Sequence, residues 1–313
     1  MDPHAPHPHA LPIRLRIAQP GQERLSLGWP PAARHSRWPA NPVLPPSPPR
    51  LRPGVSRVVL IRTDDRAAGT HQALDLLQPP GLEGNSVFLK PNSNTADPAP
   101  AATDPILLEA LVLDELERDE WRHVAAEGTH WPRGYAFARP ALDAGAVVNT
   151  CCLKTHRFGG QFTLSLKNTV GLVAKTVPVD SHNYMADLHS SPHQRRMIAE
   201  VNQACTPALV LLDAVEAFVD GGPDRGTIAR PNVILAGTDR VAVDVVGIAL
   251  LRLMGTTAAL SRGSIWDLEQ IQRAVELNLG VDSAERIDIV TADMPGQTMA
   301  DQLRRLLDKA PEA

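Results

Sequence analysis

The chain has 313 residues, 43% of them hydrophobic and 21% charged, with a formal net charge of −4. That length permits one large domain or two small ones and enough apolar material for a real core. Without a long Lys/Arg block, a nucleic-acid partner is not expected, and no apolar run approaches the ~18–20 residues that span a bilayer.

Two compositional features organise the rest: 29 prolines and only 4% aromatic residues. Nearly half of the prolines fall in residues 1–55. The run Asn41–Pro53 sustains neither helix nor central strand, because proline lacks the N–H and fixes φ. Residues 1–55 therefore read as a disordered Pro/His-rich tail, with His4, His7 and His9 as solvated tail residues. The start, MDPHAPHPHALP, lacks the basic and apolar stretches of a secretory signal. Three cysteines, two of them adjacent, form no zinc or cluster ligand pattern and fit a reducing compartment, so a cytoplasmic location is expected.

Order is expected from Ser56. Val58–Ile61 reads as a buried strand, His71–Leu77 as part of a helix, and Ser86–Leu89 as a second strand running into Lys90-Pro91-Asn92. Asp104-Pro105 is a helix start, the Asp capping and the Pro at the first helical position. Ile106, Leu107, Ala110, Leu111 and Leu113 give that helix its apolar face. His123–Ala126 is a weak strand that ends at Glu127-Gly128. Ala144–Val148 is the next, followed by Asn149 through His156. Phe162–Val173 reads as a helix bearing Lys167-Asn168, and Pro192–Ala204 as a helix with Met197, Ile198 and Val201 on one face. Ala208–Leu212 carries the strongest strand signal and ends at Asp213. Asn232–Ala236 is a strand that ends near Asp239, and Val241–Leu253 a long helix. Ile287–Val290 and Met299–Lys309 close the chain as strand and helix. Apolar strands alternating with helices predict a single α/β domain over 56–313, a mostly parallel sheet with helices on both faces.

In such sheets ligands bind beyond the carboxyl ends of the strands. The residues delivered there are Lys90 and Asn92, Glu127, Lys154 and His156, Asp213, and Asp239 with Asp244 nearby. Lys154 and His156, two apart in an extended segment, project on one side. Lysine offers a compact cation for a phosphate or carboxylate, and histidine shuttles protons near neutral pH. Lys167 is costly to bury without an anionic partner and is expected to join Lys90 and Lys154, beside Asn168. Asp213 suits general-base work, metal ligation or pairing with a lysine. Cys151 and Cys152 read as core packing, with a nucleophilic role only if Lys154 or His156 lowers a pKa. The Gly221–Gly226 loop matches neither phosphate-binding glycine motif and reads as a turn. His182 and His189 flank a stretch with little regular pattern and read as exposed loop histidines, with a loop closing over the site as the alternative.

The first expectation is an enzyme acting on a small anionic metabolite. Lys90, Asn92, Lys167 and Asn168 bind the substrate, and Lys154, His156 and Asp213 carry the chemistry. The alternatives are a redox protein, with a divalent metal on His156, His182, Asp213 and Asp244 or with a bound flavin, and a non-catalytic ligand-binding module.

The ordered set VFLKPN (Val87–Asn92), LKTH (Leu153–His156), SLKNTVG (Ser165–Gly171), LLDAVEAFVDGGPDRG (Leu211–Gly226) and AGTDRVAVDVVG (Ala236–Gly247) resembles the domain of unknown function 362 family. The likeness spans about Arg57 to Ala292. Some members of that family carry an appended cluster-binding cysteine segment. This chain has none, so no iron–sulfur cluster is expected. The stretch between Leu113 and Ala144 is shorter than similar chains have.

Overall fold

A computed structural model describes residues 13–15, 53–80, 82, 84–92, 97–104, 107, 114–115, 121–158, 161–177 and 182–308. The central sheet is built on β2 (Ser56–Arg62), β3 (Val87–Lys90), β7 (Ala146–His156), β9 (Leu209–Gly221), β11 (Val233–Gly237) and β12 (Ile287–Thr291). Short strands extend it: β1 (Ile13–Leu15), β4 (Asp114–Glu115), β8 (Gln161–Thr163) and β10 (Gly226–Ala229). The order is β12-β2-β11-β9-β7-β3-β1-β4, with β8 on β7 and β10 on β9. Apart from Ile13–Leu15, the region read as a disordered tail lies outside the described residues up to Arg52, as does most of the face of the helix expected after Asp104.

The mixed α/β class with a mostly parallel sheet holds. β12 and β2 are parallel, as are β9, β7 and β3. Among the six longer strands β11 is the exception, antiparallel to both its neighbours, and the short strands β1, β4, β8 and β10 also pair antiparallel. Its reversal follows from the β9–β10 hairpin, which turns the chain round before β11 begins. Gly237 pairs with Val210 near the start of β9, so Asp239 lies at the opposite end of the sheet from the tip of β9. The expectation that β11 delivers Asp239 to the common crevice is thereby corrected. Its place just before Val241 also reads as a helix cap, and that holds: Asp239 accepts from the Val241 and Ala242 amides.

Alternation along β2 shows how the layers form. Val58 and Leu60 enter one core with helix Arg240–Leu253 and helix Met294–Leu307, while Val59 and Ile61 enter another with helix α1 (Arg66–Leu77). A separate two-stranded sheet, β5 (Trp121–Val124) with β6 (Tyr135–Ala138), packs an aromatic cluster of Trp131, Tyr135 and Phe137 against Met197 and Ile198. Glu127 is exposed in the β5–β6 connection, outside the central sheet.

Three local expectations change. The helix read over Phe162–Val173 is β8, then the short helix α2 (Ser165–Asn168) and a 3-10 turn at Thr169–Leu172. Phe162 pairs with Thr155, so the main chain of that stretch serves β7 rather than a helix. The loop read around His182 is helix α3 (Tyr184–Ser190), capped by the Asn183 side chain on the Ala186 amide. β7 and β9 both run past the ends expected for them, because each keeps a hydrogen-bonded neighbour on its far stretch.

The Gly221–Gly226 segment is a turn, as expected. Gly222 has φ +57, and a Cβ there would sit 2.0 Å from the Thr155 carbonyl oxygen. Its own carbonyl accepts from the Arg157 amide at 3.3 Å. Gly222→Ala is expected to cost at least about 2 kcal/mol through strain and backbone collision, measured as a lowered midpoint in urea unfolding.

Candidate functional site

β7 is buried along its whole length. Its register places Lys154 and His156 inside the strand, not in a loop beyond it. Lys154 has 0% exposure, and its Nζ donates to the carbonyls of Pro100, at 3.2 Å, and Ala101. Segment 97–104 thus crosses the strand ends. The hydroxyl of Thr103 ties it down, accepting from the Asn92 amide at 2.8 Å and donating to the Thr150 carbonyl at 3.3 Å.

Lys90 ends β3 and is also buried. Its ammonium donates to the Pro91 carbonyl at 2.5 Å and reaches Asn168 Oδ1 at 3.5 Å. Asn168 Nδ2 in turn donates to Asn149 Oδ1 and to the Thr150 and Lys90 carbonyls. Gly171 leaves room for the lysine: a Cβ there would lie 2.9 Å from Lys90 Cε and Nζ. Asn168 is therefore the bracket that joins α2 to the ends of β3 and β7. Asn92 is buried, with Nδ2 lacking a hydrogen-bond partner among the described residues.

Lys167 projects from α2 in a partly open position. Asp244, fully buried on helix α4 (Arg240–Leu253), fixes α2 by accepting from the Ser165 amide, the Ser165 hydroxyl and the Leu166 amide. Burial pushes Asp244 up to about 7 despite those donors.

The electrostatics tie these groups together. Burial, and secondarily the charge of Lys154, lower Lys167 to about 8. Lys90 also falls to about 8 by burial, with Cys151 pulling against the shift and Lys154 adding a smaller push in its direction. Burial lowers Lys154 itself. His156 is pushed down to about 3 by burial, then by Lys167 and Lys154, with His189 adding to the shift. Its Nδ1 is buried with no hydrogen-bond partner among the described residues. None of the three lysines has a carboxylate within ion-pair distance among the described residues. Cations held in low dielectric carry a desolvation cost that only opposite charge or well-placed acceptors offset.

Asp213 lies apart from this group. It is paired with Arg66, whose Nε donates to Oδ2 at 2.7 Å, and its Oδ1 accepts from the Val215 amide. Arg66 also faces Asp104 at 3.5 Å and Glu216 at 3.8 Å. The carboxylate expected to orient His156 is thus committed to an arginine that the sequence reading passed over. Its signal was there: Arg66 opens the helix directly after the first core strand. Cys152 pairs across the sheet with Asp213, between the two groups. Burial drives Cys152 up to about 12 and Cys151 well above its ordinary value, so both are packing residues, not nucleophiles.

The metal expectation is corrected. His156, His182, Asp213 and Asp244 do not gather, and no three His, Cys, Asp or Glu side chains among the described residues could share an ion. His182 instead contacts Asp187 at 2.7 Å. A cleft of about 440 Å³ lined by Ser264, Trp266, Asp282, Glu285 and Asp308 contains none of the candidate residues.

Residues 111–249 match the family model described as Domain of unknown function (DUF362). Over that stretch the chain is similar to the DUF362 family. The matched stretch includes Lys154, His156, Lys167, Asn168, Asp213 and Asp244, whereas Lys90, at the end of β3, and Arg66, at the start of helix α1, precede it. No curated protein and no solved structure matches the chain. No described helix is long and apolar enough to cross a membrane.

Lys167 bears a charge in a costly setting, with no side-chain hydrogen bond among the described residues. Lys167→Met is therefore expected to raise the melting temperature at pH 7 by about 1–3 °C, since it removes the burial penalty and keeps the volume. The native state sheds the protons of Lys90 and Lys167 near 8, whereas the unfolded chain holds them to about 10.5. Stability of the free protein should accordingly rise with pH between those values, and thermal melts across pH 7.5–10.5 test it.

Proposed function

We propose that this chain binds a small anionic metabolite, a carboxylate or phosphate, at Lys90, Lys154 and Lys167, and that His156 exchanges a proton with it. The observation that carries this reading is the group of three lysines, depressed in pKa and without acid partners among the described residues. A purely structural lysine is more cheaply replaced by an apolar residue, so retaining strained charges is what a binding site for an anion requires. Asn92, with its unpaired Nδ2, adds a neutral donor. Asn168 holds the frame.

His156 fits the acid/base part. In the free protein it is a neutral imidazole, held so by burial and by the lysine field. A bound anion cancels part of that field and lifts the imidazole pKa toward its ordinary range, so the base gains strength when substrate arrives. Asp213 and Arg66 form the adjoining wall and set the position of β9, not the proton inventory of His156.

The test is calorimetric titration of the full chain with phosphate and with short carboxylates. Wild type should bind at least one of them. Lys167→Met should weaken binding at least tenfold while melting no lower than wild type, and Gly171→Ala should weaken it by moving the Lys90 ammonium. Affinity should fall as pH rises through about 8, where Lys90 and Lys167 lose charge. Absence of binding, or equal binding by the Lys167→Met variant, rules the reading out.

A further inference from the structure

One exposed aromatic ring stands beside this cluster. Phe158 follows β7 directly and is 54% exposed, whereas most aromatic rings of the chain are buried. It is not loosely held. The Arg157 guanidinium lies over the ring at 4.4 Å from its centroid. Arg157 is itself fixed by the Gly222 carbonyl, at 3.0 Å, and by Asp224 at 2.8 Å. On another side the ring meets His156 edge-on, with centroids 5.8 Å apart and planes at 72°. A phenylalanine pinned by a cation while half of it faces solvent keeps its π-surface available for a flat partner.

The same two residues link that surface to the cations. His156 is 8% exposed, its Nδ1 is unpaired, and it feels the charges of Lys167 and Lys154. Aromatic face, unpaired ring nitrogen and ammonium groups therefore follow one another along the residues Phe158, His156 and Lys154. A simple inorganic anion uses only the last of these.

We propose that the anion taken by the lysines is borne on a flat conjugated ring, and that Phe158 is the specificity-determining residue that stacks it. The proposal rests on the anion-binding reading above and narrows its substrate class to aryl or heteroaryl carboxylates and phosphates.

The experiment compares matched probes on the full chain by calorimetry: phosphate, phenyl phosphate and cyclohexyl phosphate, then acetate, benzoate and cyclohexanecarboxylate. Wild type should bind the phenyl compound of one series about threefold to tenfold tighter than both its ring-free and saturated counterparts. Phe158→Leu should remove that preference and leave affinity for phosphate or acetate unchanged. Phe158→Trp should keep the preference. Because the side chain is exposed, both variants should melt with wild type. Equal binding of phenyl and cyclohexyl probes, or a preference that survives in Phe158→Leu, overturns the ring inference while leaving the anion reading intact. If no probe binds, or if Lys167→Met binds phosphate and acetate as wild type does, the anion reading falls and this inference with it.

Discussion

An ammonium ion sealed inside a β-sheet constrains everything around it. Lys154 has no exposure and no carboxylate partner among the described residues, so its desolvation is offset only by the Pro100 and Ala101 carbonyls. That requirement draws segment 97–104 across the strand ends, and Thr103 must then pin the segment to Asn92 and Thr150. Its field reaches outward too, depressing Lys90, Lys167 and His156. Removing Lys154 is thus a different operation from removing Lys167: the first strands two carbonyls, the second relieves a charge.

Two adjoining systems result. One is cationic and lacks acids. The other is the Arg66 system, in which Asp104, Asp213 and Glu216 surround one guanidinium. Cys152 lies between them, too deeply buried to ionise. The Arg66 system is internally neutralised and rigid, so it braces β9. The lysine system has no carboxylate at ion-pair distance among the described residues. Asp244 serves the lysine system from behind, organising α2, which bears Lys167 and Asn168.

Much of this was legible in the residues. The strand signals at Val58, Val87 and Leu209 were strong because buried strands are continuously apolar, and the position of Lys90 and Lys154 near strand ends followed from the fold class. Burial of Cys151 and Cys152 followed from their type. What escaped was set by pairing over long distances. Nothing local in Val233–Gly237 states that it runs backwards, because direction is decided by the β9–β10 hairpin and by which neighbours remain. The polar residues Lys154 and His156 disguised the far half of β7 as loop, since burial of a lysine depends on carbonyls some fifty residues away in sequence. Phe162–Val173 reads with helical spacing, yet its first residues are claimed by an edge of the sheet. Nothing local at Asp213 names its partner, because Arg66 lies 147 positions earlier.

The reversed strand β11 has a bearing on how this molecule comes into being. β2 sits between β11 and β12, and its outer partner begins only at Ile287, paired with Ser56. Nascent chain leaving the ribosome therefore holds an uncovered apolar edge at Val58 to Ile61 until almost the last element has been synthesised. The stretch from 111 to 249 lacks β2, β3 and β12, so it does not by itself hold the whole sheet. Shielding of that waiting edge during translation falls to whatever greets the chain at the tunnel exit.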